Sequence, residues 1–435
     1  MRQTFRKWLI SFCALCFSLM AQAQVVAVKA GKLVDTEAGT VRSNVIILIR
    51  DGRFQAVGES VAVPADTKVI DLSSMTVLPG LIDCHTHLVG NAADLDPLSE
   101  LHKTAAQVAF ESLPNARKTL EAGFTTVRDV GTYRALVDVA LRDAINRGDV
   151  VGPRMYVAGA YITITGGAGA LTGFAPDITL PWDLHYGEAN SPWEVRQRVR
   201  DLANHGVDLI KVLATGAVLT HGSNPGAEEF TPEELSAAVD EARKFGLRVA
   251  AHAHGAQGIK NAIRAGVASI EHGTLVDDEG IALMKQHGTY LVADIYDEEY
   301  IQGEGKRNGE PADFLEHDRS LGRAQRENFR KAVQGGVKIA FGTDAGVYPH
   351  GDNAKQFAFM VQYGQTPMQA IQAATISAAD LLGKKDELGS ISVGKHADLV
   401  AVQGDPIVNI RLLENVQFVM KDGKVFKSGG KVVEY

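Results

Sequence analysis

His85 and His87 stand one residue apart at the end of the run Pro79-Gly80-Leu81-Ile82-Asp83-Cys84. A strand sends alternate side chains to the same face, so the two imidazoles point one way and are spaced to close on one metal ion. The pair alone says little, since histidines also pack in cores and lie on surfaces. Its weight comes from four later apolar runs. Leu209-Ile210-Lys211-Val212-Leu213 holds a lysine, and Val249-Ala250-Ala251-His252-Ala253-His254 ends on two histidines. Ile270-Glu271-His272-Gly273 adds another histidine, and Ala340-Phe341-Gly342-Thr343-Asp344 ends on an aspartate. Five histidines, a lysine and an aspartate at matching strand ends form a metal-binding constellation.

Lys211 needs its own account. An ammonium buried in an apolar strand costs several kcal/mol unless it is paired or neutralised. Burial lowers its pKa, and the free amine can take up carbon dioxide to become a carbamate, an anion with two oxygens able to bridge two metal ions. A lysine simply paired with a carboxylate such as Asp344 is the alternative.

These residues need elements to position them. Residues 81–87, 125–130, 154–159, 209–215, 248–254, 269–272, 290–295 and 338–344 read as short strands, with helical pattern between most of them. Eight such repeats predict an α/β chain with a (β/α)8 TIM barrel over residues 81–384, whose site gathers at the C-terminal strand ends. Thr231-Pro232-Glu233-Glu234 starts a capped helix that Gly246 closes. The segments 256–265 before Gly266 and 323–334 before Gly335 repeat the helix-then-glycine ending. Residues 164–181 and 217–230 read as long loops, and loops of that length in a compact domain are usually functional. Residues 24–80 and 385–435 are rich in short β runs, with Asp51-Gly52 and Asp422-Gly423 as hairpin turns. Each end is too small to stand alone, so together they predict one composite β-sandwich.

Arg2, Arg6 and Lys7, then the apolar run from Trp8 to Met20, then Ala21-Gln22-Ala23 read as an export signal over residues 1–23. The mature chain is expected in the periplasm or medium, soluble and not membrane-bound. It would begin at Gln24 and keep 412 of the 435 residues, with 41 Lys and Arg against 52 Asp and Glu and a net charge near −11. That acidic balance argues against nucleic acid as a partner. Cys84 is then the last of three cysteines, so no internal disulfide can form.

The order of H-x-H, Lys211, His252, His272 and Asp344 resembles the amidohydrolase superfamily with a binuclear centre. Pro79 to Asp83, Gly342-Thr343-Asp344 and Gly394-Lys395-His396-Ala397-Asp398-Leu399 carry the resemblance, which spans nearly all of the mature chain. Ala250 to Gly255 and Ile270 to Gly273 are similar to imidazolonepropionase-related carboxypeptidases and prolidases, and closer still to secreted bacterial amidohydrolases that hydrolyse ochratoxin A. The resemblance implies one metal on His85, His87 and Asp344, a second on His252 and His272, and carboxylated Lys211 bridging both. His254 shares the face of His252 and is either a substrate contact or the ligand in its place. Ala168 stands where many relatives have a histidine after the Gly-Gly of the 164–181 loop.

Two divalent ions, zinc fitting the donors best with manganese or another ion as the alternative, would activate water and polarise a carbonyl. Asp344 would carry the proton to the leaving amine. The expected reaction cleaves an amide or peptide bond to release a C-terminal amino acid, with ochratoxin A and Xaa-Pro dipeptides among the candidates and cyclic amides or lactones as alternatives. Arg128, Tyr296, Tyr348 and His350 are candidates for the substrate carboxylate. A mononuclear deaminase is the competing chemistry, but it generally lacks the lysine and uses a glutamate absent from Val249 to Gly255. A non-catalytic scaffold would have lost ligands that this chain retains. A homo-oligomer is expected.

Overall fold

The computed structural model describes residues 25–90, 98–220 and 222–433, so the leader read over residues 1–23 lies outside the described residues. The N-terminal strands β1 (Val26–Asp35), β2 (Thr40–Arg50), β3 (Arg53–Gly58) and β4 (Lys68–Pro79) lead into β5 (Leu81–Thr86). β6 (Phe124–Asp129) and β7 (Arg154–Val157) join β5 in a parallel three-stranded sheet. β8 (Tyr161–Ile162), β9 (Leu209–Leu213), β10 (Arg248–Ala253), β11 (Ser269–His272) and β12 (Tyr290–Val292) form a parallel five-stranded sheet. Every residue of β5, β6, β9, β11 and β12 is buried, as expected of parallel strands covered on both faces.

Residues 338–345 lie between these two sheets. Ile339 bridges Leu291 of β12, Ala345 bridges Thr86 of β5, and the Asp344 amide donates to the His85 carbonyl at 2.8 Å. This run was expected as an eighth strand, but it makes single bridges only. Gly342 is pressed so close that a Cβ there would stand 2.2 Å from Val292 Cγ1 and 2.9 Å from His85 Cβ, and Asp344 turns to φ 54°. The third expected strand is split in two at Gly159 (φ 78°): β7 pairs with β6, and β8 pairs with β9.

The helices Ala105–Glu121, Pro192–Asn204, Pro232–Lys244, Ala256–Ala265 and Asp278–His287 connect successive strands. Thr231 and Glu234 form the reciprocal capping box read from the sequence, and Gly266 closes its helix in the left-handed region. The helix expected over 323–334 begins earlier, spanning Ala312–Gly335, and Gly336 rather than Gly335 takes the left-handed cap. One apolar core joins Val127, Ile210, Val249 and Ile270 from the strands and Phe341 from the run between the sheets with Val199, Leu235 and Phe357 from the helices.

The C-terminal strands β13 (Leu399–Gln403), β14 (Phe418–Lys421), β15 (Lys424–Ser428) and β16 (Lys431–Val432) meet the N-terminal ones edge to edge. β13 pairs antiparallel with β4, so the two chain ends share one eight-stranded sheet, ordered β16-β15-β14-β13-β4-β1-β2-β3. Both Asp-Gly pairs make their hairpin turns, with φ 51° and 73° at Asp51-Gly52 and φ 49° and 75° at Asp422-Gly423. A second core of Val28, Ile47, Phe54, Val77, Leu399 and Phe418 draws on both ends. Asp398 ties this sheet to the α/β part: Arg154 Nη1 donates to its Oδ2 at 2.6 Å, and the Gly80 amide to its carbonyl at 2.9 Å.

Candidate metal centre

The C-terminal end of β5 brings His85 and His87 onto one side, their ring centroids 5.5 Å apart. Asp344 Oδ1 lies 3.4 Å from His85 Nε2 and 3.2 Å from His87 Nε2. The opposite ring nitrogens are engaged behind. His85 Nδ1 faces Glu271 Oε2 at 2.9 Å, and His87 Nδ1 faces the Gly131 carbonyl at 2.8 Å. Both Nδ1 atoms therefore carry the hydrogen and both Nε2 lone pairs face Asp344, the arrangement that prepares a histidine to ligate.

His252, His254 and His272 gather beside this group, with ring centroids 4.5–4.7 Å apart. His272 Nδ1 meets Asp294 Oδ2 at 2.6 Å, His252 Nε2 meets the Gly216 carbonyl at 3.2 Å, and His254 Nδ1 meets Thr274 Oγ1 at 2.7 Å. Each ring keeps one nitrogen for the centre. Burial, then the neighbouring imidazoles, lower His252 well below the ordinary histidine value and His254 to about 3, so both are neutral donors. His85, His87 and Asp344 form one set with ligand atoms within 4.8 Å of one another, and His252, His254 and His272 form a second. His272, Asp294 and Asp344 make a third set that links them. Both His272 (φ 65°) and Asp344 (φ 54°) sit in the left-handed region, at a cost of about 1–3 kcal/mol each. Lys211 is 2% exposed at the same cavity, and burial lowers its amine to about 8. Neutral imidazoles, a carboxylate and a lysine shifted toward the free amine fit divalent cations.

The amidohydrolase family model matches residues 76–429. The chain belongs to the amidohydrolase family. Ochratoxinase of Aspergillus niger is 32% identical over 431 residues, 94% of this chain and 88% of that protein. The solved structure of a Xaa-Pro dipeptidase with methionine bound in its active site is 41% identical, has a TM-score of 0.87, and matches 93% of this chain and 100% of its own. The crystal structure of A. niger ochratoxinase superposes with a TM-score of 0.80 at 30% identity over 93% of this chain and 96% of its own. These relatives are hydrolases acting on C–N bonds, and so is the reaction class of this amidohydrolase.

The amidohydrolase centre lies in a cavity of about 320 Å³, lined by His85, His87, Lys211, His252, His254, His272 and Asp344 together. The four residues read as candidates for the substrate carboxylate, Arg128, Tyr296, Tyr348 and His350, are not among its lining. Arg128 is buried beneath, with Nη2 donating at 2.8 Å to both oxygens of Glu271, which in turn holds His85. Tyr296 and Tyr348 meet edge to face, with ring centroids 5.0 Å apart. His350 Nε2 donates to the His87 carbonyl at 3.1 Å and steadies the backbone of that ligand. Alternation along a strand says which face a side chain takes, but not whether that face opens on the cavity or on the packed interior below.

Other residues in contact with the site went unread in the sequence. Glu271 precedes His272, and Asp294 anchors His272 while accepting from Gln325 Nε2 at 2.6 Å. Tyr161 lines the cavity with its hydroxyl 3.2 Å from His87 Nδ1. Of these, only Glu271 carried a signal, a carboxylate inside an apolar strand. Ala168, in the 164–181 loop, lines the cavity as well, and its amide donates to Glu229 at 2.9 and 3.0 Å.

Proposed function

We propose that this amidohydrolase uses two divalent metal ions, zinc fitting best, to cleave an amide or peptide bond and release a C-terminal amino acid. One ion would be held by His85, His87 and Asp344, and the other by His252 and His272, with Lys211 carboxylated by carbon dioxide as the bridge. The observation that carries the reading is the meeting of two His/Asp donor sets and a buried lysine in one cavity. The hydrogen bonds of residues 338–345 to both parallel sheets support a (β/α)8 barrel as their frame. The 41% identity to a Xaa-Pro dipeptidase and the 32% identity to ochratoxinase support a substrate whose leaving group is an amino acid.

Bound divalent ions lower the pKa of water and polarise a scissile carbonyl. The chain's own groups do the rest. Glu271 and the Gly131 carbonyl hold the hydrogens of His85 and His87 on Nδ1, so each ring keeps its orientation and its Nε2 lone pair. Asp344, with Oδ1 turned to those rings, keeps Oδ2 to take a proton from the attacking water and pass it to the departing nitrogen. Thr172, Phe174 and Leu219 line the cavity wall. Export with cleavage before Gln24 and assembly of several copies belong to the same reading, and N-terminal sequencing and light scattering check them.

The test is chromatography of products after incubation of the metal-analysed protein with N-acetyl-L-leucyl-L-phenylalanine, L-leucyl-L-proline and ochratoxin A. Release of phenylalanine or proline by protein holding two ions per chain is the expected result. Fully metallated protein that releases an amino acid from none of the three overturns the reading.

A further inference from the structure

Asp297 opens the short helix Asp297–Tyr300 beyond β12 and lines the cavity. It is 7% exposed, and its Oδ1 is buried without a hydrogen-bond partner among the described residues. A buried carboxylate oxygen with no donor is costly, and a complementary group from outside the chain removes that cost. Neighbouring Asp294 is itself a carboxylate in contact with Asp297, its oxygens accepting from His272 and Gln325, so it brings like charge and no cation. Asp318, on the helix Ala312–Gly335, lines the same side and accepts one bond, from Gln302 Nε2 at 2.7 Å.

No lysine or arginine pairs with Asp297 or Asp318 among the described residues. Arg326, the cation in that region, bonds Glu298 at 2.9 Å and Glu299 at 3.3 Å instead. The cavity's lining cations are Lys103, which pairs with Glu111 at 2.9 Å, and Lys211 of the proposed metal centre. Ile301, Phe314 and Leu321 line the cavity too, giving apolar surface for a carbon chain.

We propose that Asp297, assisted by Asp318, forms a subsite for a positively charged nitrogen of the substrate, an alkylammonium or guanidinium. This rests on the amide-hydrolase reading and narrows it. Two sources carry that chemistry: the free α-ammonium of a dipeptide, and the basic side chain of an N-acylated amino acid. A neutral N-acyl amide of an uncharged amino acid leaves Asp297 without a partner.

Calorimetric titration of the metal-loaded protein with L-leucine, N-acetyl-L-leucine and N-acetyl-L-lysine tests it. At least one cationic ligand should bind about tenfold tighter than N-acetyl-L-leucine, as a charge-assisted contact provides. Preference for L-leucine assigns the α-ammonium, and preference for N-acetyl-L-lysine assigns the side chain. Asp297→Asn, nearly isosteric, should erase the preference, and Asp318→Asn should reduce it, a second variant should the first fail to fold. Equal binding of all three, binding of none, or a preference that survives Asp297→Asn overturns the inference. The hydrolytic reading fails separately: a cation preference in protein that cleaves no amide leaves the subsite standing and removes the reaction.

Discussion

Arg128→Met separates two roles for one arginine. As a substrate contact, Arg128 would change KM and little else. In the structure it is 4% exposed and binds both oxygens of the fully buried Glu271 at 2.8 Å, while its Nε donates to the Cys84 carbonyl at 2.5 Å. Ser269 and His85 are then the remaining partners of Glu271. Burial pushes the Glu271 carboxyl up, and Arg128 is the largest influence holding it down, with His85 next. Removing one member of a buried pair typically costs about 3–5 kcal/mol. Here Ser269 and His85 stay behind, so a loss near the lower end, about 3 kcal/mol, is expected. A Glu271 freed to take a proton no longer fixes the hydrogen on His85 Nδ1, and loss of such an outer contact weakens metal binding by about 10–100-fold. Urea unfolding measures the first effect, competition with a chromophoric chelator the second, and Michaelis kinetics at saturating metal the third. The account expects lower stability, weaker metal binding and a nearly unchanged KM. Unchanged stability and metal affinity with a raised KM would refute the structural placement and restore the substrate role.

Three further outcomes follow from the same geometry. Asp344→Asn keeps the imidazoles but removes the proton carrier, so metal analysis should find part of the metal while turnover falls about 10²–10⁴-fold; near-normal turnover would take Asp344 out of proton transfer. Burial raises Glu229 to about 7, against the opposing bond from the Ala168 amide. A carboxyl raised in the fold binds its proton more tightly than in the unfolded chain, so its contribution is present below about 4.3 and is lost as pH rises toward about 7. The urea midpoint should therefore carry a downward component over that window, and Glu229→Gln should flatten it. Asp398→Ala leaves Arg154, 15% exposed, with Asp422 as its remaining ion-pair partner, and should cost about 2 kcal/mol in unfolding without altering kcat at saturating metal.

The candidate ligands were readable in the sequence because each lies in or at the end of an apolar run, and a parallel α/β fold assembles its site at strand ends. His85, His87, Lys211, His252, His254, His272 and Asp344 all line one cavity. The hairpins at Asp51-Gly52 and Asp422-Gly423 and the capping box at Thr231 were readable too, because turn and cap chemistry is local. The run ending at Asp344 misled on its form: its apolar residues look like strand, yet the close approach at Gly342 and the turn at Asp344 are tertiary facts. Arg128, Tyr296, Tyr348 and His350 lie outside the cavity lining, since sequence proximity to a strand end does not reveal depth. The partners of the ligands, Asp294, Gln325 and Thr274, come from separate segments with no shared spacing. The closing Gly394 to Leu399 segment was read as a family mark; its Asp398 turns out to bind Arg154 and the Gly80 amide, joining the terminal sheet to the α/β part.

The central claim is that Lys211 becomes an anion between two cations. Metal stoichiometry of wild-type and Lys211→Ala protein, purified without chelator and assayed with and without added propionate, bears on it most directly. Two ions per chain in the wild type, loss of metal and turnover together in the variant, and partial recovery of both with propionate is the predicted result. A Lys211→Ala protein that keeps two ions and its full rate would contradict it.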